Sequence, residues 1–386
     1  MRFFYITILT ICLFRCIGCE RYSLTDIHIS KKTQTIDVNV SKDNFLEIMP
    51  LVNNYRFTPL EISNKCIIGE INKIIYVGDK YYILDRRQQK QIYVFDPDGK
   101  YLMSIGRRGR GPGEYIEPTD FYVTNNNIAV FDQYAHKINY YDLNGEFINS
   151  RTMPYKVYEI ETTKNNEIFV VTGDNHKLKD IKDYSILRLS SDNNILNKYC
   201  YNKYSMNFSN EYDLYTFNDN VVYAKALQGG VFSIDDNDEF YLKYKFNIQP
   251  SPLPAGFEET CRGDFSKFKE RYANTFTYFN GQYWETTSFL GFGINYSNNP
   301  YFVIYNKKNK VAHSGIVGIR YGLQPDDING VLSSVLNNSP IHVSGNTVVG
   351  AISSEKLPRN IRDNIWGTEY NSEFCNPVLV HVEFKN

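Results

Sequence analysis

The sequence lacks the patterns that mark most metal, nucleotide and hydrolase sites. Its six histidines form neither HExxH nor a close pair, which argues against a zinc site built from histidine. It also has no DxDxDG calcium loop and no GxSxG nucleophile elbow. The sequence therefore names no catalytic residue, no metal and no cofactor.

An excess of charge of one sign is missing too. Lys and Arg total 42 and Asp and Glu total 43, so the formal net charge is −1. A near-neutral chain has no overall attraction to nucleic acid, and any basic patch must be local. We expect no nucleic-acid partner.

Long Ala/Leu/Glu runs typical of helices are absent, whereas aromatic residues are abundant, with 32 Tyr and 25 Phe. Aromatic side chains favour strands, and the Asn-Gly and Asp-Gly pairs favour tight turns. This composition predicts an almost entirely β protein.

The only long apolar run is at the N-terminus and is too short to span a bilayer. Residues 1–18 are therefore predicted to be a signal peptide. Gly18-Cys19 follows the run and is similar to a bacterial lipobox, although Arg15 and Cys16 depart from that pattern. We expect a lipid on Cys19, a linker over 19–54 and an outer-membrane lipoprotein whose only membrane contact is the anchor. A plain secretory signal, and so a soluble periplasmic protein, is the alternative.

One phrase recurs along the chain, with turn aspartates at Asp96, Asp142, Asp192 and Asp235. Their spacings are 46, 50 and 43 residues. Units of about 40–50 residues with four strands each indicate propeller blades; a solenoid is the competing interpretation. The phrase reads "IYVFDPDGKYLMSIG" at 92–106, "INYYDLNGEFINSR" at 138–151, "ILRLSSDNNILNKY" at 186–199 and "VFSIDDNDEFYLKY" at 231–244.

Six four-stranded antiparallel blades can be traced over 55–386, with seven as the next possibility. The sixth unit has three obvious strands, and the alternating segment 55–63 has no partner in the first unit. We predict that this N-terminal strand completes blade six and closes the ring, which would leave no unpaired edge. A short helix is predicted between blades four and five, and a long excursion at 354–376.

The string "YYILDRRQQKQIYVFDPDGKYLMSIGRRGRGPGEYIEPTDF" resembles the NHL repeat. With "LPAGFEETCRGDFSKFKERYANTF" and "NPVLVHVEFK", the chain resembles the six-bladed propeller lipoproteins of Gram-negative gut anaerobes. The resemblance implies the architecture but not a function, because propellers host both binders and enzymes.

The connections between strands should differ on the two faces of the ring. Those between the first and second and between the third and fourth strands are tight turns, whereas the others are long and varied. Loops on a rigid scaffold often carry binding sites. A site for anionic groups is therefore possible on the long-loop side, against the alternative that its arginines pair with acids such as Glu114 and Asp120. The candidate ligand-binding residues are Arg86, Arg87, Arg107, Arg108, Arg110, Tyr134 and His136.

Four cysteines follow Cys19, and exported chains can form disulfides. If the ring closes as predicted, Cys66 and Cys375 lie near each other and could be bridged. Two buried thiols are the alternative.

Together these observations favour an exported, monomeric propeller that binds an envelope protein or a glycan-like ligand. A propeller hydrolase or lyase acting on an envelope or dietary carbohydrate is the alternative. A cluster of acids or histidines at one mouth of the channel would favour the enzyme.

Overall fold

The structure of the protein is a computed structural model. It describes residues 30–40, 45–163, 167–172, 178–201, 204, 212–317, 327–337, 341–367 and 375–386. Six sheets, each built around four antiparallel strands, form a six-bladed β-propeller, which confirms the predicted fold.

The strands follow one another blade by blade after two N-terminal strands. These are β1 (Gln34–Asn39) and β2 (Val52–Pro59), preceded by a 3-10 turn at Met49–Leu51. Blade one holds β3 (Lys73–Val77), β4 (Lys80–Asp85), β5 (Gln91–Phe95) and β6 (Tyr101–Ile105). The short strands β7 (Arg107–Arg108) and β8 (Glu114–Tyr115) link it to blade two, which holds β9 (Pro118–Val123), β10 (Ile128–Asp132), β11 (Lys137–Tyr141) and β12 (Phe147–Thr152).

Blades three to six repeat the same order. Blade three holds β13 (Val157–Thr162), β14 (Ile168–Thr172), β15 (Tyr184–Leu189) and β16 (Ile195–Tyr201). Blade four holds β17 (Leu214–Phe217), β18 (Asn220–Tyr223), β19 (Gly230–Ile234) and β20 (Phe240–Gln249). Blade five holds β21 (Thr277–Glu285), β22 (Phe289–Tyr296), β23 (Asn299–Asn306) and β24 (Val311–Ile316), and blade six holds β25 (His342–Ser344), β26 (Thr347–Ile352) and β27 (Val378–Phe384) together with β2.

The predicted ring closure is confirmed. Strand β2 pairs antiparallel with β27, in a register that runs from Val52 opposite Phe384 to Pro59 opposite Val378. The strand predicted at 55–63 therefore begins and ends a few residues earlier. The two ends of the chain share one sheet, and this pairing holds the ring shut.

The tight turns of the repeat have a common cause. In blades one, two and four a carboxylate oxygen, Oδ1 of Asp96, Asp142 or Asp235, accepts hydrogen bonds from two backbone N–H groups of the same turn. In blade three the hydroxyl of Ser190 accepts both bonds, at 3.3 and 3.1 Å. The residue of blade three that corresponds to Asp96, Asp142 and Asp235 is therefore Ser190, and the prediction of Asp192 is wrong by two residues. The spacings between the four turn residues become 46, 48 and 45 residues.

Blade four carries a fifth strand within the segment expected to be a linker. Strand β1 lies parallel to β20, from Gln34 opposite Tyr244 to Asn39 opposite Gln249. Alternate side chains point into the fold, so that Ile36 and Val38 are buried. Period-two burial of this kind is the mark of a half-buried strand.

The helical insertion between blades four and five is confirmed. It holds α1 (Phe257–Cys261), α2 (Phe265–Phe268) and a π-helical turn at Lys269–Ala273. Asp264 caps α2 by accepting hydrogen bonds from Ser266 and Lys267. Two further helices, α3 (Ile328–Leu336) and α4 (Arg359–Trp366), lie in connections of blades five and six, with a 3-10 turn at Ser354–Lys356. In the described part of the chain no helix is long and apolar enough to cross a membrane.

Candidate functional site

The two faces of the ring differ in their longest connections, although the connections 86–90 and 133–136, expected to be long, are no longer than the tight turns. We call the face with the connections 78–79, 96–100, 142–146, 235–239 and 307–310 the tight-turn face. The opposite face carries the connections 86–90, 106–117, 133–136, 250–276 and 353–377, and we call it the long-loop face. Three connections on the long-loop side are as short as the tight turns: 86–90 has five residues, 133–136 has four, and Ser297 and Asn298 alone join β22 to β23.

Aspartates at the ends of second strands hold the loops of the long-loop face. In blade one, Asp85 Oδ1 accepts hydrogen bonds from Gln88 N and Gln89 N, both at 3.0 Å, and Oδ2 accepts one from Gly69 N at 2.7 Å. Asp132 does the same in blade two, accepting from Tyr134 N and Ile116 N. Each carboxylate thus fixes its own loop and the preceding link between blades.

The segment 106–117 is a compact corner stabilised by Glu114. Its Oε1 accepts a hydrogen bond from Arg107 Nε at 2.8 Å, and its Oε2 accepts one from Gly111 N at 2.8 Å. These two contacts hold the pKa of Glu114 below its ordinary value, the Gly111 N–H being the larger cause. Tyr115 is buried and donates to the carbonyl of Ile105, so the corner is fixed at its base.

Three of the five candidate arginines form ion pairs. Arg107 pairs with Glu114, Arg87 Nη1 lies 3.2 Å from Glu70 Oε1, and Arg86 Nε lies 3.6 Å from Glu117 Oε1. Lys90 pairs with the same carboxylate as Arg86, its Nζ lying 2.5 Å from Glu117 Oε2. Ion pairs at or near the surface contribute little stability.

The remaining candidates are exposed on the same face. Arg108 and Arg110 project from the corner, and neither forms a salt bridge with another described residue. Tyr134 is 59 % exposed, and His136 is exposed at the tip of the adjacent loop. The structure thus separates the candidates into three paired arginines and a group of four exposed residues.

Asp120 does not pair with the arginines of this face. It lies on the inner strand β9, where its Oδ1 is 2.7 Å from Lys73 Nζ of the neighbouring inner strand β3. Lys73 also lies over the ring of Tyr212, 5.0 Å from its centroid. The expected role of Asp120 as a partner of the arginines is wrong, because the alternation of β9 turns this side chain towards the channel.

Two channel carboxylates join neighbouring inner strands. Asp120 Oδ2 accepts a hydrogen bond from Ile160 N of blade three at 2.8 Å. Glu159 Oε2 accepts bonds from Asp213 N and Leu214 N of blade four, at 2.9 and 3.0 Å. Inner strands have one edge without a strand partner, so their N–H groups need such acceptors.

The channel acids have raised pKa values. Burial raises the pKa of Glu159 well above its ordinary range, and the carboxylates of Asp213 and Asp120 raise it further. Burial raises the pKa of Asp213 to about 7, with Lys225 opposing the shift. Burial also raises the pKa of Glu161, although Lys73 opposes it.

The channel encloses a cavity of about 360 Å³. Of the four acids above, Glu161 lines it, whereas Asp120, Glu159 and Asp213 lie in the wall behind. The acid cluster that would favour an enzyme is therefore mostly committed to backbone hydrogen bonds. Among the described residues no group of three or more His, Cys, Asp or Glu side chains could hold a metal ion.

Sequence reasoning gave Asp120 another role and missed Glu159, Glu161 and Asp213, although a signal exists. Charged residues interrupt otherwise apolar or aromatic inner strands, as in "TDFYV" at 119–123 and "YEIET" at 158–162. Burying a charge at such a position costs free energy unless the charge is paired, so a charged residue there indicates a specific partner.

Near the ring closure Cys66 is a buried thiol. Asn376, next to Cys375, donates a hydrogen bond to the carbonyl of Cys66 at 3.2 Å, and its Nδ2 lies 3.7 Å from the Cys66 sulfur. Burial raises the pKa of the Cys66 thiol to about 12, and the hydrogen bond from Asn376 opposes this shift. The bridge to Cys375 stays a prediction.

Cys19, the residue expected to carry a lipid, lies outside the described residues.

The fold and the site define a six-bladed propeller with one elaborated face. The family model DUF4934, described as a domain of unknown function, matches residues 33–382, and the chain belongs to this family. A search of curated protein sequences gave no match.

Two solved structures that are similar to this chain come from Bacteroides. One is a protein of Bacteroides fragilis NCTC 9343 named "Putative exported protein", which is 18 % identical to this chain and has a TM-score of 0.73. The match covers 92 % of this chain and 100 % of the B. fragilis protein. Another is a DUF4221 family member of Bacteroides vulgatus ATCC 8482, 12 % identical with a TM-score of 0.49, where 87 % of this chain covers 97 % of that one. At 18 % identity the likeness to the B. fragilis protein is one of fold alone.

Proposed function

We propose that this protein is an exported, lipid-anchored propeller that binds an envelope protein or a glycan-like ligand through its long-loop face. Export is supported by the signal-like N-terminus and by the name of the similar B. fragilis protein. The lipobox-like Gly18-Cys19 supports an anchor.

The observation that carries the proposal is the exposed pair Arg108 and Arg110 on a fixed corner. Glu114 and buried Tyr115 hold the backbone of this corner, so the two guanidinium groups are presented from a rigid base. A guanidinium carried on a fixed backbone loses less entropy when it binds a carboxylate or phosphate than one on a mobile loop. The ligand is therefore expected to carry anionic groups.

The test is co-purification of the protein from its native membrane, followed by mass spectrometry of the proteins and glycans that accompany it. The double variant Arg108→Glu and Arg110→Glu should reduce the recovered ligand about tenfold or more, because charge reversal opposes an anionic partner.

The matched control is Lys100→Glu with Lys308→Glu, which makes the same charge change on the tight-turn face. It should leave recovery unchanged. Equal recovery with both double variants, or no enrichment over an unrelated lipoprotein, would remove the support for this proposal.

A further inference from the structure

The corner at 106–117 and the loop 133–136 are tied to one carboxylate. Asp132 Oδ2 accepts a hydrogen bond from Ile116 N at 2.6 Å, and its Oδ1 accepts one from Tyr134 N at 3.0 Å. Two backbone segments that bind the two oxygens of a single carboxylate are close neighbours. The corner and the loop are therefore held in one fixed arrangement.

Backbone contacts fix the part of the corner that carries the two exposed arginines. Gly109 lies between Arg108 and Arg110, and its N–H donates to the carbonyl of Tyr115 at 2.9 Å. A Cβ on Gly109 would lie 2.0 Å from Oε2 of Glu114, so this carboxylate packs directly against the backbone. The chain between the two arginines is thus fixed, whereas their side chains are exposed.

Tyr134 is an exposed aromatic ring on the loop next to the corner. The loop is held at its start by Asp132 and at its end by the carbonyl of His136, which accepts a hydrogen bond from Met153 N at 2.7 Å. The Tyr134 side chain is 59 % exposed. An aromatic ring that is presented in this way offers a flat apolar face, on which the C–H face of a sugar can pack.

The charge around this ring is positive. The connections 86–90 and 106–117 contain six Lys and Arg and two Glu, so their net charge is +4. Four further charged residues border these connections and lower that value to +2: Glu70, Asp85, Asp132 and Lys137. The whole chain has a formal net charge of −1, so the excess of positive charge is local. It favours an anionic ligand and disfavours an organic cation.

The surface of these connections suits a sugar better than a protein. The core of a protein interface is formed by several apolar or aromatic side chains. In the connections 86–90, 106–117 and 133–136, all of which the structure describes, Tyr134 is the one large apolar or aromatic side chain that is exposed. A single ring beside guanidinium groups matches a ligand that combines one apolar face with a carboxylate.

From this geometry we infer that Tyr134, Arg108 and Arg110 bind an acidic sugar, that is, a uronic acid residue of a polysaccharide. The C–H face of the sugar would pack on the Tyr134 ring, and its carboxylate would accept hydrogen bonds from the guanidinium groups. The inference rests on the proposed function and names a glycan as the ligand of the long-loop face.

The test is isothermal titration calorimetry of the purified full-length protein with uronate oligosaccharides from two sources, plant pectin and the polysaccharide of the native envelope. The same oligosaccharides after reduction of their carboxylates to alcohols are the neutral controls. Oligoglutamate is the anionic control without a sugar ring. A uronate from at least one source should bind about tenfold more tightly than either control.

Two results of this titration would overturn the inference. One is the absence of saturable binding by the uronates of both sources. The other is equal affinity for a uronate and for oligoglutamate or the reduced sugar, which would mean that charge alone, or the sugar ring alone, is recognised.

Variants assign the binding to the three residues. Tyr134→Ala, Arg108→Gln and Arg110→Gln should each weaken uronate binding about tenfold, because each removes one contact with the sugar. Tyr134→Phe keeps the ring and should retain most of the affinity. Tyr55→Ala, which removes an exposed tyrosine of β2 in blade six, is the matched control. Circular dichroism checks that each variant is folded, and wild-type affinity in Tyr134→Ala or an equal loss in Tyr55→Ala would contradict the assignment.

The failure of this inference can be told apart from the failure of the proposed function. If a partner co-purifies in a manner that depends on Arg108 and Arg110 but no uronate binds, the proposed function stands and the inference is wrong. The same holds if the recovered partner is a protein whose binding is unchanged in Tyr134→Ala. Uronate binding that is unchanged in Arg108→Glu with Arg110→Glu would place the sugar elsewhere and would also contradict the inference.

Discussion

At the scale of single residues, this propeller uses buried carboxylates as backbone acceptors. Glu159 accepts two N–H groups of the next blade, and Asp85 fixes a loop and a link at once. Asp213 is different, because its Oδ1 has no hydrogen-bond partner among the described residues. A buried carboxylate with one oxygen left without a hydrogen bond is destabilising when it ionises.

Replacing Asp213 with Asn should therefore change the pH dependence of stability. The folded-state pKa of about 7 lies above the ordinary value of 3.8, so the folded state holds the proton more tightly. The stabilisation from this group is present below pH 4 and is lost as the pH rises through 7. Asp213→Asn should be more stable than wild type at pH 8, by about 1 kcal/mol or more.

Urea unfolding at pH 5 and pH 8 measures this effect, with Asp236→Asn on an exposed turn of the same blade as control. The gain should be larger at pH 8 than at pH 5. An equal gain at both pH values would show that Asp213 does not titrate in this range.

Gly230 and Gly229 offer a second comparison at this scale. A Cβ on Gly230 would lie 1.8 Å from the carbonyl oxygen of Tyr244 in β20, whereas a Cβ on Gly229 would have nothing within 4 Å. Gly230→Ala should destabilise the protein by about 3 kcal/mol or more, since a backbone atom cannot move aside easily. Gly229→Ala should be close to neutral. Melting temperatures of the two variants check this, and similar values for both would contradict the packing at β20.

At the scale of elements, β1 is the least expected part of the fold. It extends blade four outward, and its buried face is formed by Ile36 and Val38. The chain thus begins its contact with the propeller well before the closing strand β2, and the segment expected to be a linker contributes to the core.

Truncating that buried face should destabilise the protein. Each of Ile36→Ala and Val38→Ala removes buried methyl groups and should cost about 1–4 kcal/mol. Thr35→Ala, on the exposed face of the same strand, should cost about 0.5 kcal/mol or less. Urea unfolding compares the three variants. If Ile36→Ala behaved like Thr35→Ala, β1 would not be docked in solution.

At the scale of the whole molecule, β1 determines where the N-terminal segment meets the propeller. Strand β20 runs from the tight-turn face to the long-loop face, and β1 is parallel to it. The chain therefore arrives at the tight-turn face, where Lys32 Nζ lies 2.6 Å from Asp235 and 2.9 Å from Glu239. Cys19 is 13 residues earlier, a reach of about 45 Å at most.

A lipid on Cys19 would thus direct the tight-turn face towards the membrane and the long-loop face away from it. We predict that, in vesicles, a fluorophore on Lys308→Cys is quenched by brominated lipids more strongly than one on Arg110→Cys. The opposite order would contradict this orientation. Cys19→Ser should abolish vesicle binding, and persistent binding of that variant would show that no lipid on Cys19 is needed.

The sequence by itself determined the blades, because tight-turn residues and period-two strands are local patterns that recur with nearly constant spacing. It also indicated the closing strand, since 55–63 alternated and had no partner nearby. It also indicated that Arg108 and Arg110 lie in a link between two blades, because the glycines around them are typical of a chain that turns sharply.

Only the tertiary structure decided which charges meet. Asp120 pairs with Lys73 across two blades. Asn337 and His342 line the same cavity as Lys73, although they lie far from it in the chain. Strand β1 joins β20 more than 200 residues later. Such contacts depend on the closure of the ring, which brings six inner strands to a common axis, and no local pattern encodes that convergence.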